Sequence, residues 1–545
     1  MPKIDIIDFM GEMPKVAERK LPLSAAVNAE NVRLASGNLE SWRGMSDVET
    51  TLRSGHVKSL FYYESSHWFN WLNNVNAIKS PIAQDSYARV YFTGEGVPKV
   101  TSNLIATGGD PKPFTAYDLG VPAPDEVITI ASITPDPDPE VDLGDTSDDE
   151  TRFYVMTHVT EYGEEGPPGA PSSAVELQSP KGDIVTLTLP IPAFNTQNIT
   201  HKRIYRTATS GSATDYYYVG EVSVATTAFV DNVSGAGLGA SLATETYEPP
   251  PSNMQGLVMG PNGIAAGFAG NEFVPSEAYL PYAYPFEYRR SVEHDIVSIA
   301  ATATGFVLGT KGNPYVFTGV SPDALSEMRL DVMQACVSAR SMIDMGEFAL
   351  YASPDGLVAA GEGGAELITE QIISRREWAE FYPETIHAYR YEGQYFAFYG
   401  DTEDNGSGIG GFVFNPKNGS LSRLNFYATA GYSDLETDTL YLVVDDSGNK
   451  LKAWDSAESL LPYAWKSKVF RGKAVSFSCA KVYTDKSFDS EFRLWADGQL
   501  VMAVAGSRKE AFRLPSVRAE DWQVEVSGKA AVQRITLATS FSEID

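Results

Sequence analysis

The stretch Phe348-Ala-Leu-Tyr-Ala-Ser-Pro-Asp355-Gly356-Leu-Val-Ala359 decides the architecture: two short aromatic and aliphatic runs of strand length flank a hairpin-type Asp-Gly turn. Comparable dipeptides stand at Gly312-Asn313, Asn405-Gly406 and Ser447-Gly448, so the turn glycines are 44, 50 and 42 residues apart. A unit of about 40 to 50 residues holding several strands is the expectation for the blades of a β-propeller. Upstream, Ser59-Leu-Phe-Tyr-Tyr63, His67-Trp-Phe-Asn-Trp71 and Ala88-Arg-Val-Tyr-Phe-Thr93 are strands of the same kind. They are read as joining that ring and covering its sheet edges.

The whole chain follows the same rhythm. Its 545 residues exceed one ordinary domain several-fold, and 46 Gly and 32 Pro punctuate short runs rich in Tyr and Phe, an all-β signature. Helical spacing is confined to residues 374–381 and 321–333. Four segments emerge: 1–121 and 252–463 as two parts of one propeller, 122–251 as an inserted acidic β-sandwich, and 464–545 as a small C-terminal β-sandwich. Between residues 124 and 250 there are 20 acids against 5 bases, which sets the insert apart from its flanks. Its strands are Arg152-Phe-Tyr-Val-Met-Thr-His-Val-Thr160, Asp183-Ile-Val-Thr-Leu-Thr-Leu189, Lys202-Arg-Ile-Tyr-Arg206, Tyr216-Tyr-Tyr-Val-Gly-Glu-Val222 and Thr227-Ala-Phe-Val-Asp231. Glu161-Tyr-Gly-Glu-Glu-Gly-Pro-Pro-Gly-Ala-Pro171 resembles a loop of fibronectin type III-like modules but comes early in the segment, which supports the sandwich and leaves its strand order open. In the C-terminal segment, Asp497-Gly498 marks a further hairpin.

Charge and chemistry narrow the function classes. The formal charge of −29 repels phosphate, which disfavours groove binding to nucleic acid. Met1-Pro-Lys-Ile-Asp5-Ile-Ile-Asp8 carries acids where a secretory signal is basic and then apolar, so no export signal is expected. The longest uncharged stretch, between Glu248 and Glu272, holds four prolines and five glycines and is not expected to enter a membrane. Cys336 and Cys479 form no metal or redox motif and are read as buried small hydrophobes. None of the six histidines (56, 67, 158, 201, 294, 387) is spaced as a metal ligand. Asp401-Thr-Glu-Asp-Asn405-Gly406 imitates the start of a calcium loop, but Phe412 stands where a bidentate acid is needed. Asp136, Asp138, Glu140 and Asp142 alternate with prolines and are read as a solvated, rigid stretch. Arg289-Arg290 and Arg375-Arg376 could grip a carboxylate, but beside Tyr288 and Trp378 they are read as structural pairs. No catalytic, cofactor-binding or metal-binding residue is assigned, and no cofactor is expected.

The phrases Leu280-Pro-Tyr282, Gly309-Thr-Lys-Gly-Asn-Pro-Tyr-Val-Phe-Thr-Gly319, Cys336-Val-Ser-Ala-Arg-Ser341, Tyr351-Ala-Ser-Pro-Asp-Gly-Leu-Val358, Leu367-Ile-Thr369 and Trp378 ahead of Pro383 belong together. With Arg203-Ile-Tyr-Arg-Thr207 and the closing sandwich, they resemble bacteriophage virion proteins of the short-tailed-phage nozzle or hub type. The resemblance implies a non-enzymatic structural subunit, made in the host cytoplasm and built into the virion tail as a homohexameric ring. It also implies a lumen that passes genomic DNA without specific binding, a tail adaptor protein on one side, and fibres or a plug protein at the side and tip. An acidic wall suits such a conduit, because each phosphate neutralised by Lys or Arg adds affinity that would slow transit. The competing expectation is a glycan-binding or glycan-cleaving propeller, with a buried carboxylate or with Trp68 and Trp71 as sugar platforms.

Overall fold

The structure, a computed structural model, describes residues 3–135, 149–178, 182–208, 215–400, 408–444, 449–484, 490–505 and 510–544. It is all-β, with propeller-type sheets; the one α-helix among the described residues is the single turn Arg375–Trp378. Two compact units divide the chain: Met1–Asn74 with Glu293–Thr318 and Ser326–Asp545, and Val75–Val292 with Gly319–Leu325.

The first unit contains four successive antiparallel sheets of four strands. Ile296–Ala301, Gly305–Thr310, Tyr315–Thr318 and Ser326–Arg329 form one; Ile343–Asp344, Phe348–Ala352, Leu357–Gly361 and Gly364–Leu367 form the next. His387–Tyr391, Gln394–Tyr399, Gly410–Asn415 and Ser420–Leu424 follow, and then Ala428–Asp434, Thr439–Val444 and Lys450–Ala453. The fourth strand of that last sheet is the N-terminal Ser46–Asp47, which pairs with Lys450–Ala453 and covers its edge. All four turn dipeptides seen in the sequence fall between the second and third strands of these sheets, although Asn405-Gly406 and Ser447-Gly448 themselves lie outside the described residues. Gly356, at φ 152°, is the left-handed residue of the Asp-Gly turn.

Consecutive sheets pack face to face. Val307 and Val316 meet Tyr351 and Val358; Leu350 and Leu357 meet Tyr395 and Phe412; Phe396 and Val413 meet Leu440 and Leu442. The hairpin Ser59–Tyr63 and His67–Trp71 stacks Leu60 and Trp68 on Ala430 and Val443. A strand covered on both faces has no solvated side, which explains why Gly305–Thr310 is buried at every position.

The closing sandwich draws on both ends of the chain. Ile4–Ile6 pairs with Val532–Ala538, and Ala26–Glu30 lies between Ser420–Leu424 and Tyr463–Ser467, joining the sandwich to a propeller sheet. Gly11 makes this passage possible, because a Cβ there would fall 2.0 Å from the Leu421 carbonyl oxygen. Trp465, Trp522, Phe492, Val524 and Leu537 fill the core. The turn at Asp497-Gly498 has φ of 45° and 78°, the two positive values of a type I′ hairpin.

In the second unit, Asn76–Lys79, Val90–Thr93, Lys99–Thr101 and Tyr117–Asp118 form one four-stranded sheet, and Gln255–Met259, Ala265–Ala269, Glu272–Pro275 and Arg290–Ser291 form another. Tyr91 and Val100 pack on Leu257 and Val274, so two neighbouring sheets flank the acidic segment in the sequence. Within that segment, Thr129–Thr134, Ile184–Thr188 and Ala228–Asp231 face Tyr154–Thr160, Ile199–Thr207 and Tyr216–Ser223 across Met156, Leu187 and Ile204.

The helical reading of residues 321–333 is corrected. Only a 3-10 turn at Pro322–Ala324 is helical, and Ser326–Arg329 is an edge strand on Tyr315–Thr318. Ladder bonds to a neighbour replaced the intrahelical bonds that spacing alone suggested.

Candidate partner-binding groove

Residues singled out in the sequence for chemistry occupy structural places. Trp68 is buried, stacked on Tyr62 at 4.6 Å and against Tyr441 at 4.7 Å, and Trp71 is buried as well, so neither is a sugar platform in this structure. Arg289 pairs with Glu248 at 3.7 Å and lies over the Phe286 ring, Arg290 donates to the Glu287 carbonyl at 2.7 Å, and Arg375 pairs with Asp355 at 3.3 Å. Both cysteines are buried thiols, and burial pushes Cys336 up to about 12. No three His, Cys, Asp or Glu side chains gather as a metal site among the described residues. Phe412 is buried in the core, while Asp401 to Gly406 and Asp136 to Asp142 lie outside the described residues. Among the described residues no helix is long and apolar enough to cross a membrane.

Carboxyls held above their ordinary range are the places to look for acid-base chemistry. Burial raises Glu164, but Arg89 donates to it at 2.7 Å and Tyr91 at 3.1 Å in an enclosed network. Burial likewise raises Glu12, which accepts from the Ala29 amide at 2.9 Å and from Arg423 at 3.0 Å. Glu392, also raised by burial, is paired with Arg33 and borders a cavity of about 90 Å³. Ligand pockets start at roughly 300 Å³, so this one is too small for a sugar ring.

One surface stands out by its charge. Phe470–Val475 pairs with Ala519–Gly528 at Phe470, Arg471 and Val475 only, and Gly472, Lys473 and Ala474 bulge out of the ladder. Beside this bulge opens a groove of about 630 Å³. Its floor is apolar: buried Trp522 and Phe477 meet edge to face at 5.2 Å, flanked by half-buried Ile4, Phe470 and Val475. Leu23, at the rim, is 65% exposed. Arg19, Lys468, Arg471 and Lys473 line the groove with Glu520 as the only acid among them. Arg471 is neutralised by a bidentate pair with Asp521 at 2.7 and 2.9 Å, and Lys468 caps the Leu21 carbonyl. Among the described residues, Arg19 and Lys473 have no carboxylate within ion-pair distance. A chain with 71 acids and 42 bases thus carries one apolar groove whose rim is cationic.

No family model and no curated protein matches the chain. Over 74% of its length it is similar to 98% of a solved structure described as the AfRom2 CNH domain, at 9% identity and a TM-score of 0.27. Over 55% it is similar to 97% of YCF48 from Cyanidioschyzon merolae, at 10% identity and a TM-score of 0.25. The all-β class is shown by the strand pairing of the chain itself.

Sequence reasoning missed the groove, yet a signal for it exists. Lys466-Ser-Lys468-Val-Phe-Arg471-Gly-Lys473 places four cations in eight residues of an otherwise acidic protein. The partners of that run, Ile4, Arg19 and Leu23, come from the opposite end of the chain.

Proposed function

We propose that this protein is a structural, non-enzymatic subunit of a bacteriophage tail, of the nozzle or hub type. In this reading copies assemble as a ring, six in number if the family pattern holds, around a lumen that passes genomic DNA, with a tail adaptor on one side and fibres or a plug at the other.

The observation that carries the reading is what the most distinctive phrase of the resemblance does. Cys336-Val-Ser-Ala-Arg-Ser341 is a strap across successive sheets. The Cys336 amide donates to Thr310 O at 2.8 Å, Val337 to Ala352 O at 3.0 Å, and the Arg340 carbonyl accepts from Ala388 N at 3.0 Å. Ser338 Oγ donates to Ile386 O at 2.6 Å, and Ser341 O accepts from the Tyr395 hydroxyl at 2.7 Å. Arg340 reaches Thr429 O at 3.1 Å and Lys58 O at 2.5 Å. These bonds tie the phrase to its neighbouring sheets, as suits a subunit that bears load. The acidic surface suits a duct that must release DNA. A glycan-binding or glycan-cleaving propeller has less support: Trp68 and Trp71 are buried, Glu12 and Glu164 are enclosed, Glu392 borders too small a cavity, and Asp344, also raised by burial, accepts from the Gly346 amide at 2.6 Å and lies 4.0 Å from Arg390.

Electron microscopy of the purified protein, alone and mixed with candidate tail-adaptor rings, tests the proposal. A ring with a central channel wide enough for duplex DNA is the expected result. A monomer under both conditions, together with saturable binding in an oligosaccharide screen, would overturn it.

A further inference from the structure

We propose that the groove beside Phe470–Val475 is a docking site for an extended acidic segment of a partner protein, which adds as a strand to the bulged edge at Gly472, Lys473 and Ala474. This inference stands apart from the nozzle reading and does not rest on it.

Three observations converge. The first is an edge: among the described residues none pairs in a ladder with Gly472, Lys473 or Ala474, and a methyl group placed on Gly472 would meet nothing within 4 Å. Main-chain donors and acceptors on an open edge are what strand addition uses, and of those at Gly472 to Ala474 the Ala474 carbonyl accepts from Arg518 Nε at 3.4 Å, a long bond that an added strand would replace. The second is the floor of Trp522, Phe470 and Val475 with exposed Leu23 at its rim, which offers an apolar seat. The third is the charge of the rim, where Arg19, Lys468 and Lys473 face one lining acid, Glu520.

These features select the chemistry of the occupant. An extended segment projects alternate side chains to opposite sides, so apolar residues on one side meet the floor while carboxylates on the other reach the cations. The attraction between opposite charges orients the segment and hastens its arrival, and it weakens with salt. A nucleic acid strand has phosphates for the rim but lacks the alternating main-chain donors and acceptors that match a strand edge, and the net charge of −29 repels it.

The test uses the full-length protein and a fluorescein-labelled decapeptide of alternating Asp and Val, followed by fluorescence anisotropy. Saturable binding is expected, weakened at least tenfold by the double substitution R19E/K473E and by high salt. Both positions are exposed, and an unchanged melting curve establishes that the variant is folded. The same peptide N-methylated at alternate amides keeps its side chains and loses one edge of donors. It is expected to bind at least tenfold more weakly. Absence of saturable binding, equal affinity for the variant, or equal affinity for the N-methylated peptide would each overturn the proposal. So would sedimentation showing that wild type self-associates and R19E/K473E does not, because that result assigns the groove to a second copy of this chain.

Discussion

Asp231 has no exposed surface and serves three hydrogen-bond donors and a nearby guanidinium. It pairs with Arg206, accepts from the Tyr154 hydroxyl at 2.7 Å and from Val233 N at 3.0 Å, and lies 3.7 Å from Arg152. Replacing it by alanine leaves the buried Arg206 guanidinium without its counter-charge, while Arg152 keeps its bidentate pair with Glu150, so Asp231→Ala is expected to cost about 3–5 kcal/mol. Denaturant unfolding followed by near-ultraviolet circular dichroism reads that loss, and a change under about 1 kcal/mol would show that the network contributes little. His387 makes a second case. Burial, aided by the nearby Arg340 charge, holds it well below the ordinary 6.5. Between its folded value and 6.5 the unfolded chain binds a proton that the folded chain refuses. Its contribution to stability is therefore full above that window and is lost as the pH falls through it. Burial raises Glu12 and Glu164, which act in the opposite sense, so the diagnostic quantity is a difference. The stability of His387→Phe relative to wild type is expected to rise as the pH is lowered from about 7 to about 5, and a flat difference would refute the assignment. Neither residue could be picked from the sequence. Asp231 is one of 20 acids in its segment, and only the packing decides which of them loses its water.

At the scale of elements, periodicity carried the reading far. The turn dipeptides mark the same joint in four successive sheets because each sheet is the same meander and the loop between its second and third strands must reverse the chain. The short helix at Arg375–Trp378 was legible too, since Ser374 and Glu377 form a capping box. Residues 321–333 misled because a few apolar residues at helical spacing also suit an edge strand, and only a neighbour offering ladder bonds separates the two. The strap at residues 336–341 was visible as a phrase but not as a strap. Its partners, at positions 58, 310, 352, 386, 388, 395 and 429, are scattered through the chain. Arg340→Met keeps most of the side-chain volume and strands the carbonyls of Lys58 and Thr429. It is expected to destabilise the protein by at least about 1.5 kcal/mol in chemical denaturation, and an unchanged midpoint would show that the strap holds through its backbone alone.

For the whole molecule, the N-terminal residues act as thread. Ile4–Ile6 covers the edge of Val532–Ala538, Ala26–Glu30 bridges Ser420–Leu424 and Tyr463–Ser467, and Ser46–Asp47 covers Lys450–Ala453. Deleting residues 1–31 uncovers the first three of these edges, and open edges recruit other chains. The truncated protein is expected to aggregate in size-exclusion chromatography with light scattering and to lose cooperative melting; a monomer that melts cooperatively would show that the thread is dispensable. The sequence by itself determined the all-β class, the repeating sheet unit, the strong acidity of residues 124–250 and the hairpin at Asp497-Gly498. Each of these is written in local patterns: alternation, turn chemistry and charge composition. Tertiary structure alone decided which acids are buried with arginines, that residues 336–341 tie the sheets, and that the two ends of the chain share one sandwich and one cationic groove. Those outcomes depend on which distant residues meet, and the placing of Arg19 and Lys473 along one groove leaves no mark on the neighbours of either in the chain.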